Sequence, residues 1–251
     1  MIKRWVKKLL KKIGLYVQSI PRVVALHEGP PILEVDTDFI IADFLERRCK
    51  RGNVKFIQIG AYDGISGDPI HKYVVRNNWE GILLEPQSKY FEKLKKSYEG
   101  VNKLKFICKA IAEEAETKKL YTLKDPESGE MPSWAGQIAS LNREVIMSHR
   151  WAIPNIEKKI NVEEVECVTF MELIRDNNFY DVDIVQIDTE GYDHRIIEMM
   201  KLGEVHPSII RFEHLHIEKS NYEDVLAKLL NNGYSVAFEK KDTIAYRRSN
   251  T

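Results

Sequence analysis

The sequence predicts an α/β domain: a mostly parallel sheet with helices on both faces, ending in an antiparallel hairpin. Two observations carry this. Short apolar runs at 55–60 (KFIQIG), 81–85 (GILLE), 104–109 (LKFICK), 183–188 (DIVQID) and 208–213 (SIIRFE) alternate with helical stretches at 69–77, 88–98, 169–176, 193–202 and 222–231. That alternation is the mark of a parallel sheet covered on both sides. The last two strand-like runs, 234–239 and 243–247, are joined only by residues 240–242 and fold back as a hairpin.

The 251 residues suffice for one large domain and are tight for two. A hydrophobic fraction of 43% and a charged fraction of 30% exclude a disordered or collagen-like chain. The formal net charge of zero provides no global basic field, so nucleic acid is not expected as a partner. Charge is unevenly placed, however. Residues 1–28 hold seven Lys or Arg (Lys3, Arg4, Lys7, Lys8, Lys11, Lys12, Arg22) against Glu28, leaving 31 basic and 37 acidic residues in the rest.

Within that start, Ile2, Trp5, Val6, Leu9, Leu10, Ile13, Tyr16, Val17 and Ile20 follow helical spacing, and Pro21 stops the pattern. An amphipathic helix over 2–20 suits peripheral contact with an anionic membrane surface and equally suits packing on the domain or on a second copy of the chain. Residues 27–36 read as a linker around Pro30 and Pro31, and Asp38 is placed to cap a helix to about residue 51. The chain thus divides into a basic helix (1–28), a linker and lead-in helix (29–53) and the α/β domain (54–251). Residues 110–168 break the strand–helix rhythm: 119–123 and 164–168 look like strands, and 126–140 is rich in Gly, Pro and Ser. They read as an insertion or lid. The chain has no apolar run of about 18 residues to span a membrane, and no signal-peptide core. Cys49, Cys108 and Cys167 form no CxxC pair, and the latter two sit in apolar runs as core residues. A reducing, cytoplasmic setting is expected, with possible attachment to the inner membrane surface.

In an open α/β sheet, ligands bind beyond the carboxyl ends of the strands. The first strand is followed by Gly60-Ala61-Tyr62-Asp63-Gly64, a turn against which the amino-acid portion of a cofactor could lie, with Asp63 free to bind an ammonium group or water. The second ends at Glu85-Pro86, a carboxylate 25 residues beyond Gly60 that could accept hydrogen bonds from a ribose diol. The third is followed by Ala110 and Ile111, small and apolar enough to flank an adenine ring. The fourth ends Asp188-Thr189-Glu190-Gly191-Tyr192-Asp193, whose carboxylates suit a general base or a metal; Asp188 and Glu190 are assigned to chemistry and Asp193 to helix capping. The fifth ends Glu213-His214-Leu215-His216; in an extended segment the two histidines share a face and Glu213 takes the other.

The runs IQIGAYDG, LLEP, AIAEE, VTFMELI leading into DIVQIDTEGYD, and RFEHLHI resemble the FkbM family of methyltransferases over about residues 54–216. A mainly parallel sheet ending in a hairpin is also the plan of the Rossmann-like class I methyltransferases. The resemblance implies S-adenosylmethionine as methyl donor and O-methylation, often of sugars or natural products. It implies that Gly60, Asp63 and Glu85 bind the cofactor and that Asp188 and Glu190 lie by the methyl group.

A neutral sugar hydroxyl is a poor nucleophile and needs a base or a divalent cation. Asp188, Glu190 or His214 is expected to take the proton, with Mg²⁺ on Asp188 and Glu213 as a further possibility. Ser133, Trp134 and Gln137 could contact a sugar ring, although Trp134 reads rather as a core aromatic tethering the insertion. The acceptor classes implied are a saccharide, a glycolipid precursor or another small natural product. One rival is a non-catalytic, cofactor-binding scaffold of Rossmann-like fold. An NAD-dependent oxidoreductase lacks its phosphate turn, because Tyr62 stands where a second glycine should be.

Overall fold

The computed structural model describes residues 15–16, 34–48, 53–124 and 131–247. Twelve strands are seen among them: β1 (Leu15–Tyr16), β2 (Glu34–Val35), β3 (Lys55–Ile59), β4 (Glu80–Leu84), β5 (Leu104–Ile107), β6 (Ala110–Ile111), β7 (Thr117–Leu123), β8 (Ile160–Val168), β9 (Ile184–Ile187), β10 (Ile209–Glu213), β11 (Ser235–Glu239) and β12 (Asp242–Tyr246). The helices are α1 (Thr37–Arg48), α2 (His71–Asn77), α3 (Ser88–Ser97), α4 (Arg143–Ser148), α5 (Ile156–Lys159), α6 (Phe170–Asn177), α7 (Asp193–Met199) and α8 (Lys219–Asn231).

The main sheet runs β1-β2-β11-β12-β10-β9-β3-β4-β5. From β11 to β5 only β12 opposes the others, pairing antiparallel with both β10 and β11. Strands β3, β4 and β9 are apolar along nearly their whole length because both faces are covered. Phe56, Leu83, Ile184 and Ile244 pack under α1, α2 and α3. Ile57, Ile82, Val185 and Ile210 pack under α6, α7 and α8.

Local chemistry sets the helix starts. Thr169 and Glu172 form a reciprocal capping box on α6, with 3.1 Å bonds from Glu172 N to Thr169 Oγ1 and from Thr169 N to Glu172 Oε2. The expected cap on α1 is corrected. Asp36, not Asp38, accepts from the first turn of α1 (Asp38 N, 2.7 Å), which leaves Asp38 to pair with Lys72 and Tyr73. Ser88 lies inside α3, whose N-cap position is Gln87 without a side-chain bond.

The 110–168 segment forms a second sheet, with β6 parallel to β8 and β8 antiparallel to β7. It has its own core of Leu123, Ala135, Ile138, Ile146, Ile153 and Ile156. The expected 104–109 strand stops at Ile107; Ala110 and Ile111 have crossed to this second sheet. Of the expected 2–20 helix, only Leu15 and Tyr16 are described. They are strand, pairing antiparallel with Val35 and Glu34, so sheet pairing takes the backbone bonds a helix would have used there. The remainder of that segment and Cys49 lie outside the described residues. Cys167 is buried as expected, whereas Cys108 is exposed at the end of the sheet.

Candidate active site

A cleft opens at the carboxyl ends of β3, β4 and β9, walled on one side by β6 and roofed by Gln137, Ala139 and Leu141 of the insertion. The turn after β3 forms its floor. Gly60 and Ala61 both donate to Leu84 O, at 3.0 and 2.9 Å. Gly60 has φ +76°, and a Cβ there would sit 1.8 Å from Asp188 O, so the crossing of β3 and β9 admits only glycine. Tyr62 adopts φ +48°, the left-handed region, at the position where a dinucleotide turn would carry glycine. Its amide donates to Glu85 Oε2 at 2.8 Å, while Gln87 N donates to Glu85 Oε1 at 2.9 Å. Glu85 is 3% exposed, and burial pushes its carboxyl up to about 7 against those two bonds. Ala61, Pro86, Ala110 and Ile111 also line the cleft.

Two residues assigned to the cofactor lie off it. Asp63 closes its own loop, accepting from Ile65 N (3.0 Å), Ser66 N (2.7 Å) and Ser66 Oγ (2.7 Å). Burial would raise its carboxyl, but these bonds outweigh burial and hold it below its ordinary value. Gly64 packs behind the turn, where a Cβ would meet Ser97, Leu94 and Tyr98. The carboxylate of this loop that does line the cleft is Asp68. It accepts from Ile70 N, His71 N and Tyr98 Oη at 2.8, 3.2 and 3.1 Å, and burial still raises it.

Beyond β9, Asp188, Glu190 and Glu213 converge, with one carboxylate oxygen of each within 4.8 Å of the others. Glu213 is 1% exposed; burial, then the charge of Glu190, pushes it up to about 7. Burial also raises Asp188, reinforced by Glu190 and Glu213. The cationic partner is Lys241, whose Nζ lies 2.5 Å from Glu213 Oε1. A divalent ion on Asp188 and Glu213 would share that carboxylate with Lys241. Asp193 is fully buried and staples the turn, accepting from Thr189 N (3.2 Å), Thr189 Oγ1 (2.6 Å) and Glu213 N (3.1 Å).

His214 is corrected. The chain turns after Glu213, with Ile217 N bonding back to His214 O at 3.2 Å, so the alternation that would align the two histidines ends there. The His214 ring packs against Tyr222 and Phe238, with Nδ1 3.0 Å from Thr243 Oγ1, outside the cleft. His216 is the one brought to the acids: its Nε2 lies 3.3 Å from Glu190 Oε2. Of the residues expected to meet a sugar, Gln137 lines the cleft. Trp134 packs on the insertion core and against the rings of His149 and Trp151.

The sequence reading missed Gln58 and Gln186. They are register partners on β3 and β9, both buried, both lining the cleft, and each has a side-chain oxygen without a partner. The signal was present: KFIQIG and DIVQID carry glutamine at the same point of two buried strands. Buried orphan acceptors in a cleft fit a ligand that brings donors. With the Gly60 turn and Glu85 beside them, they fit a cofactor bearing ammonium and ribose hydroxyl groups.

A seven-strand run in the order β11-β12-β10-β9-β3-β4-β5, with β12 alone reversed and an acid closing β4, defines a class I methyltransferase fold, the S-adenosylmethionine-dependent class. The sequence signature of the Methyltransferase FkbM domain matches residues 58–236, more than half of the chain, and the chain belongs to that family.

Among solved structures it is similar to methyltransferase FkbM from Methylobacillus flagellatus KT (TM-score 0.47, 10% identity, 77% of this chain and 43% of that one). It is also similar to the Methanococcus jannaschii fibrillarin pre-rRNA processing protein (TM-score 0.39, 10% identity, 77% and 65%). The N-terminal domain of human METTL16 in complex with SAH has a TM-score of 0.43 at 11% identity, over 98% of this chain and 82% of that one. The chain spans less than two thirds of the length of the first two. The assignment rests on the family match and the strand order, not on these distant likenesses. A comparison with curated protein sequences returns no match. No helix among the described residues is long and apolar enough to cross a membrane.

Proposed function

We propose that the chain methylates a hydroxyl oxygen of a saccharide, glycolipid precursor or related small molecule. The observation that carries this is the meeting, in one cleft, of the Gly60 turn, the buried carboxylate Glu85 and the Asp188–Glu190 pair. Gly60–Tyr62, Glu85, Ala110 and Ile111 would hold S-adenosylmethionine, with Asp68, Gln58 and Gln186 as further polar contacts. Bound there, it supplies an electrophilic methyl group on a sulfonium. Glu85, fixed by two backbone amides, is preset to accept hydrogen bonds from a ribose diol. The insertion residues Gln137, Ala139 and Leu141 exclude water from the cleft and hold the reactants in line.

Asp188 and Glu190 take the proton of the acceptor hydroxyl, since His214 packs against Tyr222 and Phe238 outside the cleft. Exposed aromatic surface on the insertion supports a sugar as acceptor: Trp151 is 80% exposed and its ring lies 6.4 Å from that of Trp134. The six basic residues among positions 3–12 would bring the enzyme to an anionic membrane, where a lipid-linked sugar is found. A second reading has Mg²⁺ on Asp188 and Glu213 lowering the pKa of the hydroxyl; the close approach of three carboxylates favours it.

The test is calorimetric titration with S-adenosylmethionine and S-adenosylhomocysteine, with NAD as control and Glu85→Ala alongside, followed by a screen of sugar acceptors with and without Mg²⁺. Binding of the first two ligands, lost in the variant, is expected. Alanine at Asp188 and at Glu190 should abolish turnover while cofactor binding survives; full activity in both would sink the assignment. A well-folded chain that binds neither ligand would instead be a scaffold.

A further inference from the structure

A second constellation shares Glu190 with the methyl-transfer reading and adds two histidines which that reading does not use. His149, Glu190 and His216 each present a ligand atom, and the three atoms lie within 4.8 Å of one another. His149 comes from the insertion, at the end of α4; Glu190 follows β9; His216 lies in the turn after β10.

We propose that these three residues bind one divalent transition-metal ion, which clamps the insertion to the main sheet beside the acceptor end of the cleft. Two imidazoles and one carboxylate are a donor set suited to Zn²⁺ or a neighbouring first-row ion rather than to Mg²⁺, which prefers oxygen alone. Three protein ligands leave coordination positions open.

Features around the triad support a built site. His149 Nδ1 lies 3.0 Å from Val145 O. A carbonyl can only accept, so that nitrogen carries the hydrogen and Nε2 carries the lone pair a metal needs; a backbone carbonyl behind the ring is the usual support of a ligating histidine. His216 Nε2 already faces Glu190 Oε2 at 3.3 Å, and the His149 and His216 rings are 5.2 Å apart. Glu190 holds a left-handed backbone, φ +49°, uncommon for a residue with a side chain. Gly191, at φ +95°, leaves room for the convergence: a Cβ there would lie 3.0 Å from Val145 Cγ2 and 3.2 Å from His216 Cβ. The glycine thus lets α4 and the His216 turn close on one point.

The experiment is a titration of the metal-free chain with Zn²⁺, read by calorimetry and by competition with a chromogenic chelator. Saturation at one ion per chain is expected, without displacement by millimolar Mg²⁺. His149→Ala and His216→Ala should each weaken it by about tenfold or more; His206→Ala, at an exposed histidine paired with Arg247, should bind as the parent does. Zn²⁺ should also slow amide exchange over residues 145–151 in the parent and not in His149→Ala. No saturable uptake by the parent, uptake that survives both substitutions, or equal loss in His206→Ala would overturn the proposal. Titration with S-adenosylhomocysteine in each variant reports the fold and the methyltransferase reading separately, since neither histidine touches the cofactor wall.

Discussion

The floor and the roof of the cleft are built in opposite ways. The floor belongs to the main sheet, where backbone geometry does the positioning. Gly60 passes against Asp188, Glu85 is fixed by two amides, and Asp193 staples the β9 turn to the end of β10. The roof is the insertion, a small sheet with a separate apolar core, and it reaches the main sheet through side chains: Ser140 Oγ donates to Glu190 O at 2.8 Å, and His149 meets His216. A cofactor common to a whole class needs the first kind of construction. An acceptor that differs between family members needs the second, because side chains change without disturbing a strand crossing.

If that contrast is right, the most damaging single change lies in the floor. Gly60→Ala places a methyl group against Asp188 O and holds alanine at φ +76°. The expected loss is on the order of 4 kcal/mol, or the fold itself. Denaturant unfolding measures it; a variant as stable as the parent would mean the crossing is loose. In the roof, Ile146→Ala removes a fully buried side chain from the insertion core and should cost about 3 kcal/mol. Its mark should be local. Amide exchange should quicken over 133–160 while β3 and β9 keep their protection. Equal acceleration in both would make floor and roof one cooperative unit.

The same division explains what could be read from the sequence. The apolar runs of β3, β4, β9 and β10 are buried on both faces and announce themselves, and a carboxylate at a strand end follows from position alone. Glu85 and Asp188 were accessible in that way. Asp63 and Asp68 were not separable, because both are acids in one loop and only the fold shows which one the Ser66 hydroxyl captures. The alignment of His214 with His216 fails because strand alternation stops at Glu213, where β10 ends, and both histidines lie beyond it. His149 lies far from His216 in sequence, and no local pattern could pair them. The two glutamines are legible as polar interruptions of buried strands.

Glu85 allows the floor to be probed by pH. Its carboxyl titrates near 7 in the folded chain against an ordinary 4.5, because burial disfavours the charge. Between those values the folded state keeps a proton that the unfolded state has lost. Stability therefore falls as pH rises through that window and stays lower above it. The shift corresponds to at most roughly 3 kcal/mol. Glu85→Gln is neutral throughout. Its stability relative to the parent should rise between pH 5 and pH 8 by up to that amount, while its affinity for S-adenosylmethionine falls. A pH-independent difference would mean that Glu85 stays ionised and is better solvated than its burial implies.

The smallest expected effect lies where roof passes to floor. β8 ends at Val168, and Thr169 caps α6 immediately, so the capping box sets the angle at which the chain leaves the insertion for the main sheet. Thr169→Ala removes one acceptor for the Glu172 amide and should cost about 1 kcal/mol, with Thr169→Ser recovering most of it. The readout that matters is where the loss falls. Faster exchange at the start of α6 alone marks an ordinary cap. Loss of protection also at Ala112, whose amide bonds to Val168 O at 3.1 Å, would show that this junction holds β6, and with it the Ala110–Ile111 wall, against the cleft.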